Sequence, residues 1–243
     1  MAIRSNLAQY AENETGEQFT RQNSKLLKIE LAAGGVHTKR GSMVAYQGDV
    51  KFENQGSGGL GKMLKKAATG EGADTMHASG TGELFVADGA KDVHIMYLEN
   101  DTVSVNGANI LAFNESISWD IKRLSGGAAG ALAGGLYNME LTGTGFVAVT
   151  TDGPPVMLDV ASAPTFGDAQ AVVMWSGGVQ MQLKTDTTGG LKSMVRGGTG
   201  ETFQMAFGGQ GFVLVQPSEG PTQLGGGGGS SSGGGGILGA LGG

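Results

Sequence analysis

Hydrophobic and polar residues alternate along much of the chain with a period of two. Ile117, Trp119 and Ile121 alternate with Ser116, Ser118 and Asp120, and Val179, Met181 and Leu183 alternate with Gln180, Gln182 and Lys184. Such a pattern puts one face of a strand in a core and the other in water, the habit of antiparallel sheets. Asn106-Gly107, between TVSV and ANILAF, predicts a type I′ hairpin. Helical spacing shows only in glycine-rich connecting stretches, where Lys62, Lys65 and Lys66 share one face at i, i+3, i+4. The pattern predicts an all-β protein.

One order of features occurs three times. LKIEL (27–31), GSMVAYQGDVKF (41–52), GGLGKML (58–64) and GTGELFVADG (80–89) form the first unit. VHIMYL (93–98), ANILAFNESISWDI (108–121), SGGAAGALAGG (125–135) and GTGFVAVTTDG (143–153) form the second. VMLDV (156–160), QAVVMWSGGVQMQL (170–183), GGLKSMV (189–195) and GQGFVLV (209–215) form the third. Each unit predicts a strand, a strand pair centred on an aromatic, a glycine-rich crossover, a strand, a G-x-G and a closing strand. The aromatics Tyr46, Phe113 and Trp175 are 67 and 62 residues apart and read as core; the pairs Gly80/Gly82, Gly143/Gly145 and Gly209/Gly211 are 63 and 66 apart. The expected fold is one all-β domain of three pseudo-equivalent antiparallel units (about 25–90, 91–153 and 154–220), of β-sandwich or double-stranded β-helix type, with short Gly-rich or helical crossovers. A polar N-terminal extension (1–24) and a Gly/Ser-rich flexible tail with an apolar end (221–243) flank it.

Composition narrows the chemistry. Glycine makes up 47 of 243 residues, far above the usual level of about 7%, which suits many turns and close backbone approaches. There is no cysteine, so disulfides, thiolate catalysis and Cys-ligated zinc are excluded. A net charge of −6 argues against a dedicated nucleic-acid binder. No apolar run is long enough to span a membrane and the N-terminus lacks a signal-peptide core, so a cytoplasmic place is expected, peripheral to a membrane or larger assembly.

Gly56 to Met63 has the G-x-x-x-x-G-K spacing of a phosphate loop. Met63 stands where that loop needs a hydroxyl for magnesium, and the parallel strand–helix–strand setting is missing. The other two crossovers keep the glycines and lose the G-K spacing, so the glycines read as parts of a crossover. His37, His77 and His94 lack metal-ligand spacing and read as ordinary surface or hairpin residues. Glu99, Asn100 and Asp101 read as turn chemistry. No nucleophile elbow appears. An enzyme is therefore not expected, and neither a cofactor, a metal nor a small-molecule substrate is assigned. Lys62, Lys65, Lys66, Lys192 and Arg196 are the candidate sites for an anionic partner. Ile237, Leu238 and Leu241, carried beyond the Gly/Ser stretch, are the candidate tail anchor. The uncharged Gly126–Gly135 crossover suits contact with another subunit or with lipid.

Two segments, VHTKRGSMVAYQGDVKFENQGSGGLGKML (36–64) and GGLYNMELTGTGFVAVTTDGPPVMLDV (134–160), resemble bacterial relatives of the altered-inheritance-of-mitochondria family. The resemblance runs from about Leu27 to Val215. It implies an all-β arrangement of pseudo-symmetric units with a domain similar to the tryptophan RNA-binding attenuation protein. Mitochondrial members of that family are linked to inner-membrane organisation, and no catalytic residues carry over. The leading expectation is a non-enzymatic, homo-oligomeric scaffold or binding protein with a protein or membrane-surface partner. A nucleic-acid-binding module using the basic crossovers is the alternative, and a nucleotide-binding enzyme the least favoured.

Overall fold

The computed structural model describes residues 6–53, 75–123, 137–185 and 203–218. Seventeen strands and two 3-10 turns make up the regular structure of these residues. After β1 (Phe19–Asn23), the first unit holds β2 (Leu26–Glu30), β3 (Val36–Lys39), β4 (Met43–Gln47), β5 (Val50–Glu53), β6 (Thr75–Gly80) and β7 (Glu83–Val86). The second holds β8 (Asp92–Asn106), β9 (Ile110–Asn114), β10 (Ser118–Arg123) and β11 (Tyr137–Thr151). The third holds β12 (Val156–Asp159), β13 (Thr165–Asp168), β14 (Val172–Ser176), β15 (Val179–Thr185), β16 (Phe203–Gly209) and β17 (Phe212–Val215).

One pairing scheme governs all three units, and every pair is antiparallel. In the first, β7 takes β2 and β4 as neighbours while β6 takes β3 and β5. The third repeats this, with β17 between β12 and β14, and β16 between β13 and β15. In the second unit the long strands β8 and β11 each do the work of two. The second half of β11 pairs with the first half of β8 and with β9; its first half pairs with the second half of β8 and with β10. The ladder breaks between Gly143 and Gly145, a bulge of the kind that lets strands bend from one sheet into the next.

Two expectations need correction. The strands β4 and β5, β9 and β10, and β14 and β15 do not pair with each other: β4 joins β7 and β5 joins β6, β14 joins β17 and β15 joins β16, and β9 and β10 join opposite halves of β11. Asn106-Gly107 likewise forms a turn, closed by the Asn109 amide donating to the Asn106 carbonyl. That turn carries the chain from β8 to β9, which flank β11 on opposite sides and make no hairpin. Adjacent strands separate because each is drawn to a different partner strand or to a different half of β11. The expected N-terminal extension also contributes structure, since β1 pairs with the outer edge of β2.

The units are joined by strand pairing as well as packing. β3 of the first unit pairs with β9 of the second, with His37 opposite Phe113. The second half of β8 pairs with β14 of the third, with Ser104 opposite Trp175. Three clusters form the core. Phe19, Leu27, Ile29, Leu84 and Val86 of the first unit pack on Ala112, Ala148 and Phe146 of the second. Phe113, Val147 and Val149 of the second pack on Met174, Phe212 and Leu214 of the third. Trp175 and Val213 of the third pack on Leu183, Met205 and Phe207 of its own three-stranded sheet.

In the first unit the leading glycine of the G-x-G pair has a steric cause. Gly80 sits at φ +130°, and a Cβ there would collide with the carbonyl oxygen of Asp49. Gly80→Ala is expected to cost about 1–3 kcal/mol or more, read as a lower denaturant midpoint with unchanged slope.

Candidate functional site

The five-residue strands β4, β9 and β14 are counterparts, each slipping by one residue against its neighbour at Val44, Leu111 and Val173. β9 is buried throughout, and β14 is buried up to Ser176. β4 is exposed at every position. Tyr46 is 50% exposed where Phe113 is fully buried and Trp175 nearly so; Val44 is 59% exposed where Leu111 and Val173 are fully buried. The expectation that all three aromatics lie in the core thus holds for two of them.

The cause lies in the pairing. β9 has β11 on one side and β3 of the preceding unit on the other; β14 has β17 and the second half of β8. β4 has β7 alone. At the far end of the chain the reverse holds. β13 occupies the position of β3 and of the second half of β8, and among the described residues it pairs with β16 alone. The residue there corresponding to His37 and Ser104 is Phe166, which is 52% exposed. Among the described residues, β4 and β13 therefore each lack the neighbour that their counterparts have.

The junction already made inside the chain shows what such a contact involves. His37, which was expected at the surface, is buried in β3, its ring 5.0 Å from Phe113 and 5.4 Å from His77. Glu115 accepts from the Gly35 amide at 3.1 Å and meets His77 Nε2 at 2.8 Å. The bond from His77, with the Gly35 amide, holds the Glu115 carboxyl below its ordinary value. A 270 Å³ cavity lies at the same seam, lined in part by Gln18, Gly34, Tyr97, Asn114 and Phe146. Gln18 donates to the Gly34 carbonyl and accepts from Asn114, which accepts from the Phe146 amide. These groups satisfy one another, which suits a seam better than a ligand pocket.

The first unit differs from the others on its outer face. Lys28 is buried there, its Nζ 2.6 Å from Glu14, 3.1 Å from Glu30, 3.2 Å from Glu83 and 3.5 Å from Glu12. Burial alone would lower the ammonium, but its hydrogen bonds to Glu14, Glu30 and Glu83 outweigh that and raise it above the usual lysine range. Glu12, Glu14 and Glu83 bring carboxylate oxygens within 4.8 Å of one another, and the ammonium supplies the positive charge that such a cluster needs. Glu12 also accepts from Gln47 Nε2 at 3.1 Å, at the end of β4.

His94, on β8, bonds Thr151 Oγ1 at 2.8 Å. Burial, more than its charged neighbours, lowers its pKa from the ordinary value. A base lowered on folding stabilises the fold above its unfolded pKa, near 6.5, and that contribution is lost as pH falls below it. His94→Gln is expected to flatten the fall in melting temperature between about pH 7 and pH 5.

Lys62, Lys65, Lys66, Lys192 and Arg196, and Ile237, Leu238 and Leu241, all lie outside the described residues, as do the three crossovers. Among the described residues no helix is long and apolar enough to cross a membrane. What sequence reading missed is the pair of open edges. Its signal was present, because MVAYQ matches ILAFN and VVMWS in apolar character, yet β4 is uncovered among the described residues.

A family model described as mitochondrial biogenesis AIM24 matches residues 18–218. The crystal structure of a Streptococcus pyogenes protein is similar at 23% identity and a TM-score of 0.66, covering 82% of this chain and 92% of that one. That likeness bears on the fold. No curated protein matches the sequence.

Proposed function

Because the chain belongs to the mitochondrial biogenesis AIM24 family, we propose that it is a non-enzymatic scaffold that works by assembling with copies of itself. The supporting observation is the exposure of β4 where its two counterparts are buried. β13 of one copy supplies the strand that β4 of the next lacks. The internal junctions set the register: as His37 faces Phe113 and Ser104 faces Trp175, Phe166 faces Tyr46, and Gly167 faces Ala45. Apolar open edges are pairing sites unless something covers them. The contact is head-to-tail, and its closed form is a ring.

Magnitudes limit what the edges achieve alone. Burying Met43, Val44 and Phe166 contributes roughly 1.5–3 kcal/mol each, against an association cost of about 4–15 kcal/mol. Further contact between copies is therefore required. The Ile237, Leu238 and Leu241 anchor and a protein or membrane-surface partner remain part of this proposal, supported by the sequence pattern alone. Light scattering on the unmodified protein tests it. A discrete multimer at micromolar concentration is the expected result, and a monomer across the whole concentration range overturns the proposal.

A further inference from the structure

Resting on the head-to-tail reading, we infer that the N-terminal segment clasps the neighbouring copy, seating Leu7 and Tyr10 against Val156 on the neighbour's β12. Stacking inside the chain follows one rule. The inner face of each unit covers the outer face of the next: Leu27, Ile29 and Val86 cover Ala112, Ala148 and Phe146, and Phe113 and Val147 cover Met174, Phe212 and Leu214. Among the described residues no unit covers the outer face of the first. On its outer face, Lys28 and Glu83 stand at the positions held by Ile95 and Phe146 in the second unit. What lies over them is the N-terminal segment, held by Glu14 and Glu12 on Lys28 and by three hydrogen bonds between Asn13 and Gln22.

The third unit has the complementary gap. Val156 pairs with Val215 as Leu27 pairs with Val86, so the two residues are counterparts on the inner face. Leu27 is fully buried and Val156 is 57% exposed. Continuing the stacking rule from one copy to the next lays the third unit's inner face over the following copy's first unit. The N-terminal segment lies on that face. Its 3-10 turn Leu7–Tyr10 buries none of its own residues, and Leu7 and Tyr10 are 63% and 74% exposed. Two residues beyond this turn, Glu12 accepts from Gln47 at the end of β4, the strand to which the neighbour's β13 is assigned.

The chain's lack of cysteine makes the test clean. Tyr10→Cys chains are mixed with Val156→Cys chains and treated with a short bis-maleimide. A covalent heterodimer that neither variant forms alone is the expected product, and it can only join separate copies. Leu7→Ser/Tyr10→Ser should raise the concentration for half-assembly about tenfold or more, with the thermal melt of dilute protein unchanged. If no heterodimer forms and this variant assembles as the unmodified protein does, the clasp is overturned and the head-to-tail reading stands. If Val44→Lys also assembles normally, that reading falls too.

Discussion

Val44→Lys is expected to leave the chain folded and to abolish its assembly at micromolar concentration. Val44 is 59% exposed in the single chain, and surface substitutions of this kind usually change stability by less than about 0.5 kcal/mol. In the proposed assembly the same residue enters the environment of Leu111 and Val173, both fully buried. A lysine there loses the apolar burial and brings an unpaired ammonium into a strand junction, the device by which natural edge strands resist pairing. Weakening by a hundredfold or more is expected, on the order of 2.8 kcal/mol. Sedimentation velocity beside circular dichroism measures both halves of the claim. Leu111→Lys is the paired control, and it should unfold the protein because its position is already covered within the chain.

Lys28→Ala is expected to be the most destabilising substitution on the outer face of the first unit. It removes the single ammonium among Glu12, Glu14, Glu30 and Glu83, all within 3.5 Å of it. The ammonium is buried but its carboxylate partners are 28–67% exposed, so water takes up part of the loss; the expected cost is about 1–3 kcal/mol, or roughly 5 °C of melting temperature for a chain of this size. The pH dependence has a definite sign. Folding raises the Lys28 pKa, so its stabilisation is complete below the unfolded value near 10.4 and is lost as pH rises through the folded one. Thermal melts should therefore show a constant gap between the two proteins from neutral pH up to the lysine range, closing only above it.

The three-unit architecture was legible because strand alternation and the phased markers survive in each unit. Tyr46, Phe113 and Trp175 sit at matching ladder positions, and their spacing was readable without coordinates. Partner choice was not readable. A period of two shows which face of a strand suits a core and says nothing about which strand lies alongside, so it cannot tell a hairpin from two strands with separate partners. In LKIEL, Lys28 stands at a polar position of an alternating strand. Its burial depends on Glu12 and Glu14 crossing the sheet, a tertiary contact with no local pattern. His37 carries no spacing signal because it packs on Phe113, 76 positions away. Tyr46 was read as core from its counterparts, which describes the position and not the single chain.

The head-to-tail joint makes a demand on register that one experiment meets. A Tyr46→Cys chain and a Phe166→Cys chain, mixed and oxidised, place the two thiols on directly opposed residues, within the distance a disulfide spans. Rapid formation of a covalent heterodimer is the predicted result, with Tyr46→Cys/Asp168→Cys mixtures, out of register, reacting far more slowly. Equal reactivity of both mixtures, or none in either, would contradict the account.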